Sequence, residues 1–183
     1  MHAGGYDTTR ATLETFTRTS AGWVRAFAPM AARIGGRGFS DHHVEGVATT
    51  PVGVFGFGAT MYGINPDPNV KYAYHRIVTG DWWNEASGSS GYNTFQHSSY
   101  SPGGASEALW REPVAYQYFA FIKYNVPAKA GRGSGIFLHV SKGNPTAGCV
   151  ALSKSSLLNV LTWLDPAANP RIVMAPDSEL SRF

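Results

Sequence analysis

The sequence predicts a mainly β fold, of the β-sandwich or open-barrel kind, with one helix in its C-terminal half packed on the sheet. Glycine is abundant (21 residues) and aromatic residues reach 13%, a mixture typical of strands joined by tight turns. Only one segment has clear helical periodicity. With 183 residues, 43% of them apolar, the chain can bury a core without metals or disulfides, and we expect residues 1–183 to form one domain.

The N-terminal half reads as strands interrupted by turns. Residues 8–35 alternate loosely between polar and apolar side chains, which predicts two antiparallel strands with a turn at Ala21-Gly22. Residues 35–46 form a polar loop. Residues 48–64, in which glycines interrupt apolar residues, predict a strand that bends, and Pro51 fixes its start.

The middle of the chain contains an unusually long polar segment. Residues 65–71 predict a turn and residues 72–78 a strand. Residues 79–108 are rich in glycine and serine yet hold several aromatic side chains. A loop of this length in a compact domain is usually functional or disordered, and the aromatic residues favour a functional loop.

The C-terminal half carries the most regular patterns. Strands are predicted for "VAYQYFAFIKYNV", for the almost wholly apolar and therefore buried "GIFLHVS", for the short "VAL" after the cysteine, and for "RIVMA" near the end. The helix is predicted in residues 153–165, with Ser153 as its N-cap, an apolar stripe of leucines, and Pro166 as its stop. We find no repeat and no linker.

Charge narrows the class of partner. A net charge of +3 and a pI near 9.1 suit an anionic polymer such as cell wall, whereas no Lys/Arg cluster marks a nucleic-acid groove. No apolar run approaches the ~18–20 residues of a membrane span. The first twenty residues are polar and contain no signal peptide. We expect an exported protein of the cell wall or periplasm from which a leader or anchor has been removed.

The only cysteine, Cys149, follows a histidine by ten residues. A thiol needs a nearby base to form its thiolate at neutral pH, and imidazole is the usual one. His139 near the end of one strand and Cys149 at the start of the next would meet at one end of a sheet, with the amides of Gly148 and Cys149 available to an oxyanion. On spacing alone, a small buried cysteine and a hydrogen-bonded histidine are the simpler interpretation.

Two motifs in order resemble a known family. The stretch "ATTPVGVF" is similar to the Thr-Pro-x-Gly-x-Phe signature of the YkuD-type L,D-transpeptidases, and "IFLHV…TAGCVALS" resembles their catalytic block of His followed by Ser/Thr-x-Gly-Cys. The resemblance covers roughly residues 45 to 175. Neither block is decisive alone, but together, around the sole cysteine, they are fairly specific.

The resemblance implies a peptidoglycan-active cysteine enzyme that acts on stem peptides through a thioester. Carried over by position, Cys149 is the nucleophile, His139 the base, and the Val140 carbonyl orients the imidazole. Thr146 matches the family's Ser/Thr before the oxyanion-hole glycine, Gly148.

The catalytic block departs from the commonest family pattern. Ala147 stands where the family has a second histidine, Ala151 replaces its usual Arg or Asn, and the His-to-Cys loop is shorter. Such a block looks more like the YafK/DpaA-type branch, whose members include hydrolases. Cross-linking, exchange with a D-amino acid and carboxypeptidase action therefore all stay open.

Thr146 and four further residues are candidates for substrate binding. Trp82 and Tyr92 offer aromatic faces, and Asn93 an amide, from the long middle segment; Asn144 lies in the catalytic loop. Trp82 or Trp83 filling the core below the loop is an equally good interpretation. For Asn144, a turn residue before Pro145 is the favoured one.

No cofactor and no metal are expected. His42 and His43 are adjacent and so point to opposite sides, and neither His75 nor His97 has a spacing that suggests zinc. A second class of function stays open: a non-catalytic wall- or sugar-binding β domain in which exposed Trp and Tyr side chains stack on ligands and the thiol is only buried.

Overall fold

A computed structural model describes residues 1–183 and confirms the mainly β prediction, with 38% of residues in strands and 14% in helices. Ten strands form one large mixed sheet. In chain order these are β1 His2–Ala3, β2 Arg10–Thr19, β3 Gly22–Arg33, β6 Gly53–Phe55, β7 Phe57–Gly63, β8 Ala73–Arg76, β12 Phe119–Ile122, β13 Phe137–Val140, β14 Val150–Leu152 and β15 Ile172–Pro176.

Two small sheets complete the β structure. Strands β9 Asp81–Asn84, β10 Thr94–His97 and β11 Glu107–Ala108 form one, and β4 Phe39–Ser40 pairs with β5 Thr50–Pro51 in the other. The large sheet has the order β6-β15-β1-β2-β3-β14-β13-β12-β7-β8. Its centre is the parallel pair β13 and β14, flanked by antiparallel neighbours. No helix combines the length and apolar character that a membrane crossing requires.

The central strands are apolar on both faces because each face is covered. Successive side chains of a strand point to opposite sides. Leu138, Val140, Val150 and Leu152 belong to the larger core, together with residues of the helix α1 Lys154–Trp163. Alternate residues of the same strands, including Phe137, belong to a second, aromatic core beneath the three-stranded sheet. The large sheet is therefore sandwiched between a helix and a small sheet.

The predicted helix is confirmed, with its cap. The Ser153 hydroxyl accepts a hydrogen bond from the Ser156 amide at 3.2 Å, which satisfies one free donor of the first turn. Leu157 and Leu161 are fully buried on the large sheet. Burying two leucine side chains contributes about 3–6 kcal/mol, which is the main reason that this short segment is helical.

The prediction of one long loop at residues 79–108 is wrong in part, because the aromatic stretches of this segment form the three-stranded sheet. Those strands are four residues or shorter, too brief for an alternation pattern to identify. The buried Asp81 carboxylate fastens this sheet to the large one: His75 of β8 contacts it at 2.8 Å and His97 of β10 at 2.7 Å. The two histidines thus share a carboxylate that their sequence positions do not reveal.

Two further boundaries differ from the prediction. The expected strand at residues 114–126 is reduced to β12, because Ala115–Gln117 form a 3₁₀ turn. The single bent strand expected at residues 48–64 is divided into β5, β6 and β7, with Gly53 at a φ of 148° at the first break. Glycine adopts this angle without the steric cost that a side chain would bring.

Candidate active site

Cys149 lies immediately before β14, at the boundary between the central strands and the aromatic core. Its side chain is 9% exposed. The thiol donates a hydrogen bond to the Gly135 carbonyl at 3.2 Å, and its sulfur accepts one from the Phe137 amide at 3.3 Å. Neither bond involves His139. The sulfur is thus held against the segment that leads into β13, and the bond to a carbonyl requires that the thiol keep its proton.

His139 projects from the same sheet face as Cys149. Strands β13 and β14 are parallel, with Leu138 opposite Val150, so that Phe137 lies level with Cys149. His139 is two residues beyond Phe137 and shares its face. The imidazole Nδ1 lies 2.8 Å from the Val140 carbonyl. Because a carbonyl only accepts, Nδ1 carries the proton and Nε2 keeps a free lone pair.

Burial favours the neutral form of both Cys149 and His139. It lowers the pKa of His139, an effect that the Val140 carbonyl opposes. It also raises the pKa of the Cys149 thiol far above its usual range, and the nearby Glu107 carboxylate raises it further. The resting pair is therefore a neutral thiol and a neutral imidazole, in contrast to a preformed thiolate–imidazolium ion pair.

The residues before the cysteine form a tight turn held by Thr146. Its hydroxyl donates to the Cys149 carbonyl at 2.7 Å and accepts from the Gly148 amide at 3.1 Å. The Gly148 amide is thus engaged inside the turn, which corrects the expectation that it is free for an oxyanion. The Cys149 amide makes no hydrogen bond within the protein and remains available for that purpose.

Gly148 itself is required by the geometry of this turn. Its φ is 150°, and a Cβ at this position would lie 2.9 Å from the Thr49 carbonyl oxygen. Any side chain would therefore clash with backbone. Glycine lets the strand that carries the thiol approach the Thr49-Thr50 segment closely.

Thr50 is a site residue that the sequence pattern did not identify. Its buried hydroxyl donates to the Gly148 carbonyl at 2.8 Å and accepts from the Gly35 amide at 2.9 Å. It thereby ties the turn before Cys149 to the end of β3. Thr50 is the threonine of the Thr-Pro signature, which indicates a family but does not reveal what the threonine hydroxyl contacts.

A cavity of about 200 Å³ opens beside the thiol and the imidazole. At ~30 Å³ for each water in the liquid, it has room for one amino-acid residue or a few waters. Its lining includes Thr146, Asn144 and Lys142. Glu107 lines it as well.

Glu107 brings a carboxylate to the cavity wall, where Tyr116 holds it. The Tyr116 hydroxyl donates to the Glu107 carboxylate, and the Tyr116 ring packs edge-on against His139 at 5.9 Å between centroids. Burial raises the pKa of Glu107. Lys142 is paired with Glu112 at 3.0 Å on the exposed rim, and its charge lowers the pKa of Glu107 by less than burial raises it.

Three of the five substrate-binding candidates do not line this cavity. Trp82 packs edge-on against Trp110 and donates its indole N–H to the Ser98 carbonyl. Tyr92 is buried and donates to Glu45. Thr146 and Asn144 do line the cavity.

Asn93 affects the site from a distance. It is buried, and its side-chain carbonyl accepts from the Gly135 amide at 3.1 Å and from the Trp83 indole at 3.0 Å. The Gly135 carbonyl is the acceptor for the Cys149 thiol. Asn93 therefore fixes the residue that holds the resting sulfur, while Trp83 fills the aromatic core, as the alternative interpretation had it.

The family assignment follows from a match that spans this whole site. The YkuD model, described as an L,D-transpeptidase catalytic domain, matches residues 34–173. The chain belongs to this family. No curated protein and no solved structure matches the chain. The matched segment of this YkuD domain contains the Thr-Pro signature and the complete Cys/His block, and it begins after β2 and β3.

Membership in the YkuD family sets the general class of function. The chain is a member of a family of cysteine-dependent, transpeptidase-type enzymes of the cell wall, which act on peptidoglycan stem peptides. The structure contains no group of three or more His, Cys, Asp or Glu side chains arranged to hold a metal ion.

Proposed function

We propose that this YkuD domain is an L,D-transpeptidase that cleaves a peptidoglycan stem peptide through a thioester on Cys149. The observation that carries the proposal is the placement of Cys149 and His139 on one sheet face, beside one cavity, within the family's catalytic domain. The scissile bond is the L,D bond between a diaminopimelate-type residue and the terminal D-amino acid. Such substrates place the enzyme outside the cytoplasm, where we expect it to act.

The first half-reaction transfers the thiol proton to His139. The sulfur turns from the Gly135 carbonyl toward the cavity, and Nε2 of His139 accepts its proton while Nδ1–H stays bonded to the Val140 carbonyl. The thiolate adds to the substrate carbonyl, and the Cys149 amide donates to the oxygen that becomes negative. The tetrahedral intermediate then collapses, the C–N bond breaks, and the leaving amine takes the proton from His139.

The second half-reaction depends on the acceptor. An amine from another stem peptide gives a cross-link, a free D-amino acid gives exchange, and water gives a carboxypeptidase product. In each case His139 removes a proton from the acceptor and returns it to the sulfur as the thioester breaks. Hydrolysis is the second candidate function, because a cavity of about 200 Å³ admits water without any movement of its walls.

Mass spectrometry of the products of a purified disaccharide-tetrapeptide tests both candidates. A dimer indicates cross-linking, and the loss of one terminal D-amino acid indicates carboxypeptidase action. The Cys149→Ala variant is expected to form neither product, and product formation by that variant would reject the thioester mechanism. A wild-type chain that binds wall material but gives no product and no thioester would instead support a non-catalytic wall-binding domain.

A further inference from the structure

Strands β2 and β3 extend beyond the body of the protein as a two-stranded ribbon. The neighbours of the ribbon contact only its base: β1 pairs with β2 at Thr12, and β14 pairs with β3 at Ala32 and Arg33. The last support is the edge-on contact between Phe27 and Trp163 of α1, at 5.9 Å between centroids. All ten residues 16–25 are solvent-exposed.

One face of this ribbon combines aromatic and cationic side chains. Phe16 lies opposite Arg25 and Arg18 opposite Trp23, and directly opposed residues share a face. Since the two pairs are two residues apart, all four side chains lie on the same side of the ribbon. Trp23 is 69% exposed and Phe16 42%. The opposite face at this level carries Thr17 and Val24.

The charge of the ribbon is positive and only partly compensated. Residues 15–33 contain three arginines and no acidic residue. Arg25 is paired with Glu14 at the base of the ribbon and lies over the Phe16 ring at 5.8 Å. Arg18 makes no ion pair. The face therefore offers an exposed indole beside a guanidinium with unused donors.

The position of the aromatic side chains discriminates between possible anionic partners. The tip of the ribbon is the small and polar Ser20-Ala21-Gly22, whereas Trp23 and Phe16 lie on its flank. A ribbon that binds a bilayer would insert its tip, but this tip has no large apolar side chain to insert. A flank spanning ~7 Å along the strands and ~5 Å across them matches a single sugar ring of a polymer that lies alongside.

We propose that this face binds the glycan strand of peptidoglycan, with a sugar ring stacked on Trp23 and a carboxylate of the same polymer on Arg18. The choice of wall glycan among anionic polysaccharides rests on the proposed function. The ribbon precedes the segment that matches the YkuD domain, and none of its exposed residues lines the catalytic cavity. It is thus a wall-binding attachment to the catalytic domain, separate from the site that cleaves the stem.

Co-sedimentation with purified insoluble peptidoglycan tests the ribbon independently of catalysis. All chains carry Cys149→Ala, so that no acyl-enzyme is captured. Trp23→Ala is expected to weaken binding roughly tenfold, equivalent to about 1.4 kcal/mol, because the variant loses the aromatic surface on which the sugar ring stacks. Arg18→Gln should weaken binding and reduce its dependence on salt. Val24→Ala, which removes an exposed apolar side chain from the opposite face, is the matched control and should bind within twofold of the parent.

Each other outcome overturns the proposal. Equal losses for Trp23→Ala and Val24→Ala would indicate nonspecific apolar adhesion, and no loss for either would remove the ribbon from wall binding. Trp23-dependent sedimentation with vesicles of an anionic phospholipid, in place of peptidoglycan, would assign the face to a membrane. Thermal unfolding checks that the variants fold. In the chain with Cys149 intact, Trp23→Ala should turn over a soluble muropeptide normally; if the parent itself gives no turnover, the proposed function fails while the sedimentation result stands.

Discussion

The Thr50→Val substitution tests whether the buried Thr50 hydroxyl holds the turn before Cys149 in place. Valine has nearly the shape of threonine, so the substitution removes the hydroxyl without opening a cavity. The change leaves two buried backbone groups without their partner, the Gly35 amide and the Gly148 carbonyl. Thr50 is fully buried, so water cannot replace the lost hydroxyl without a local opening of the structure.

The expected loss of stability follows from those two groups. A buried backbone group that loses its hydrogen bond costs about 1–3 kcal/mol, so the pair is expected to cost about 2–6 kcal/mol. In a domain of this size each kcal/mol lowers Tm by about 2–4 °C, and the variant should melt roughly 6–12 °C below the parent for a cost near 3 kcal/mol. A released Gly148 carbonyl also allows the following peptide to rotate, which displaces the Cys149 amide. We therefore expect kcat to fall more than KM changes.

Urea unfolding and steady-state turnover of the same preparations provide the two measurements. Thr50→Ser is the matched control: it keeps the hydroxyl, loses one methyl group, and should cost only about 1 kcal/mol with kcat retained. A Thr50→Val chain that unfolds within 1 kcal/mol of the parent and keeps its kcat would show that the Thr50 hydroxyl does not hold the turn.

Two further predictions concern charge. Glu107→Gln removes a negative charge that raises the pKa of the Cys149 thiol, so iodoacetamide should alkylate Cys149 faster at neutral pH. Glu112→Gln, on the exposed rim, is the control. Equal alkylation rates for both variants and the parent would show that the Glu107 charge does not act on the thiol. Acidification below the ordinary histidine pKa of 6.5 should destabilise the fold. Burial lowers the pKa of both His43 and His139, so just below that pH the unfolded chain binds more protons than the folded chain. Urea midpoints measured between pH 7.5 and 5 check this, and a midpoint that does not fall across that range would contradict it.

The regular elements of the fold could be predicted because each has a local signal. The helix after Cys149 has a capping serine and leucines at helical spacing, and β13 is a continuous apolar run between glycine and a polar loop. The three-stranded sheet could not be predicted in this way. Its strands are held by pairing across residues 81–108 and by the Asp81 carboxylate, and neither is visible in a short window of sequence.

The same difference between local and long-range signals applies to the residues of the candidate site. Cys149 and His139 could be identified because both lie in one short block whose motif is preserved. Thr50 is 98 residues away along the chain from its partner Gly148, and its role depends on a contact that only the folded chain creates. Trp82, Tyr92 and Asn93 have side chains chemically suited to bind a stem peptide, but in the folded chain these side chains serve packing and hydrogen bonding. Residue type alone does not reveal which way a side chain points.

The separation of Cys149, the proposed nucleophile, from His139, its proposed base, is fixed by the parallel pairing of β13 and β14. Cys149 lies level with Phe137, and His139 is two residues further along the neighbouring strand. Two residues of rise and one strand spacing place the two Cα atoms about 8 Å apart, a distance that neither strand can shorten without breaking the ladder. The remaining freedom is the rotation of the Cys149 side chain, which now points its thiol at the Gly135 carbonyl. In the proposed mechanism, proton transfer to His139 therefore requires that the thiol release the Gly135 carbonyl, and a variant that stabilises this hydrogen bond should slow acylation without affecting substrate binding.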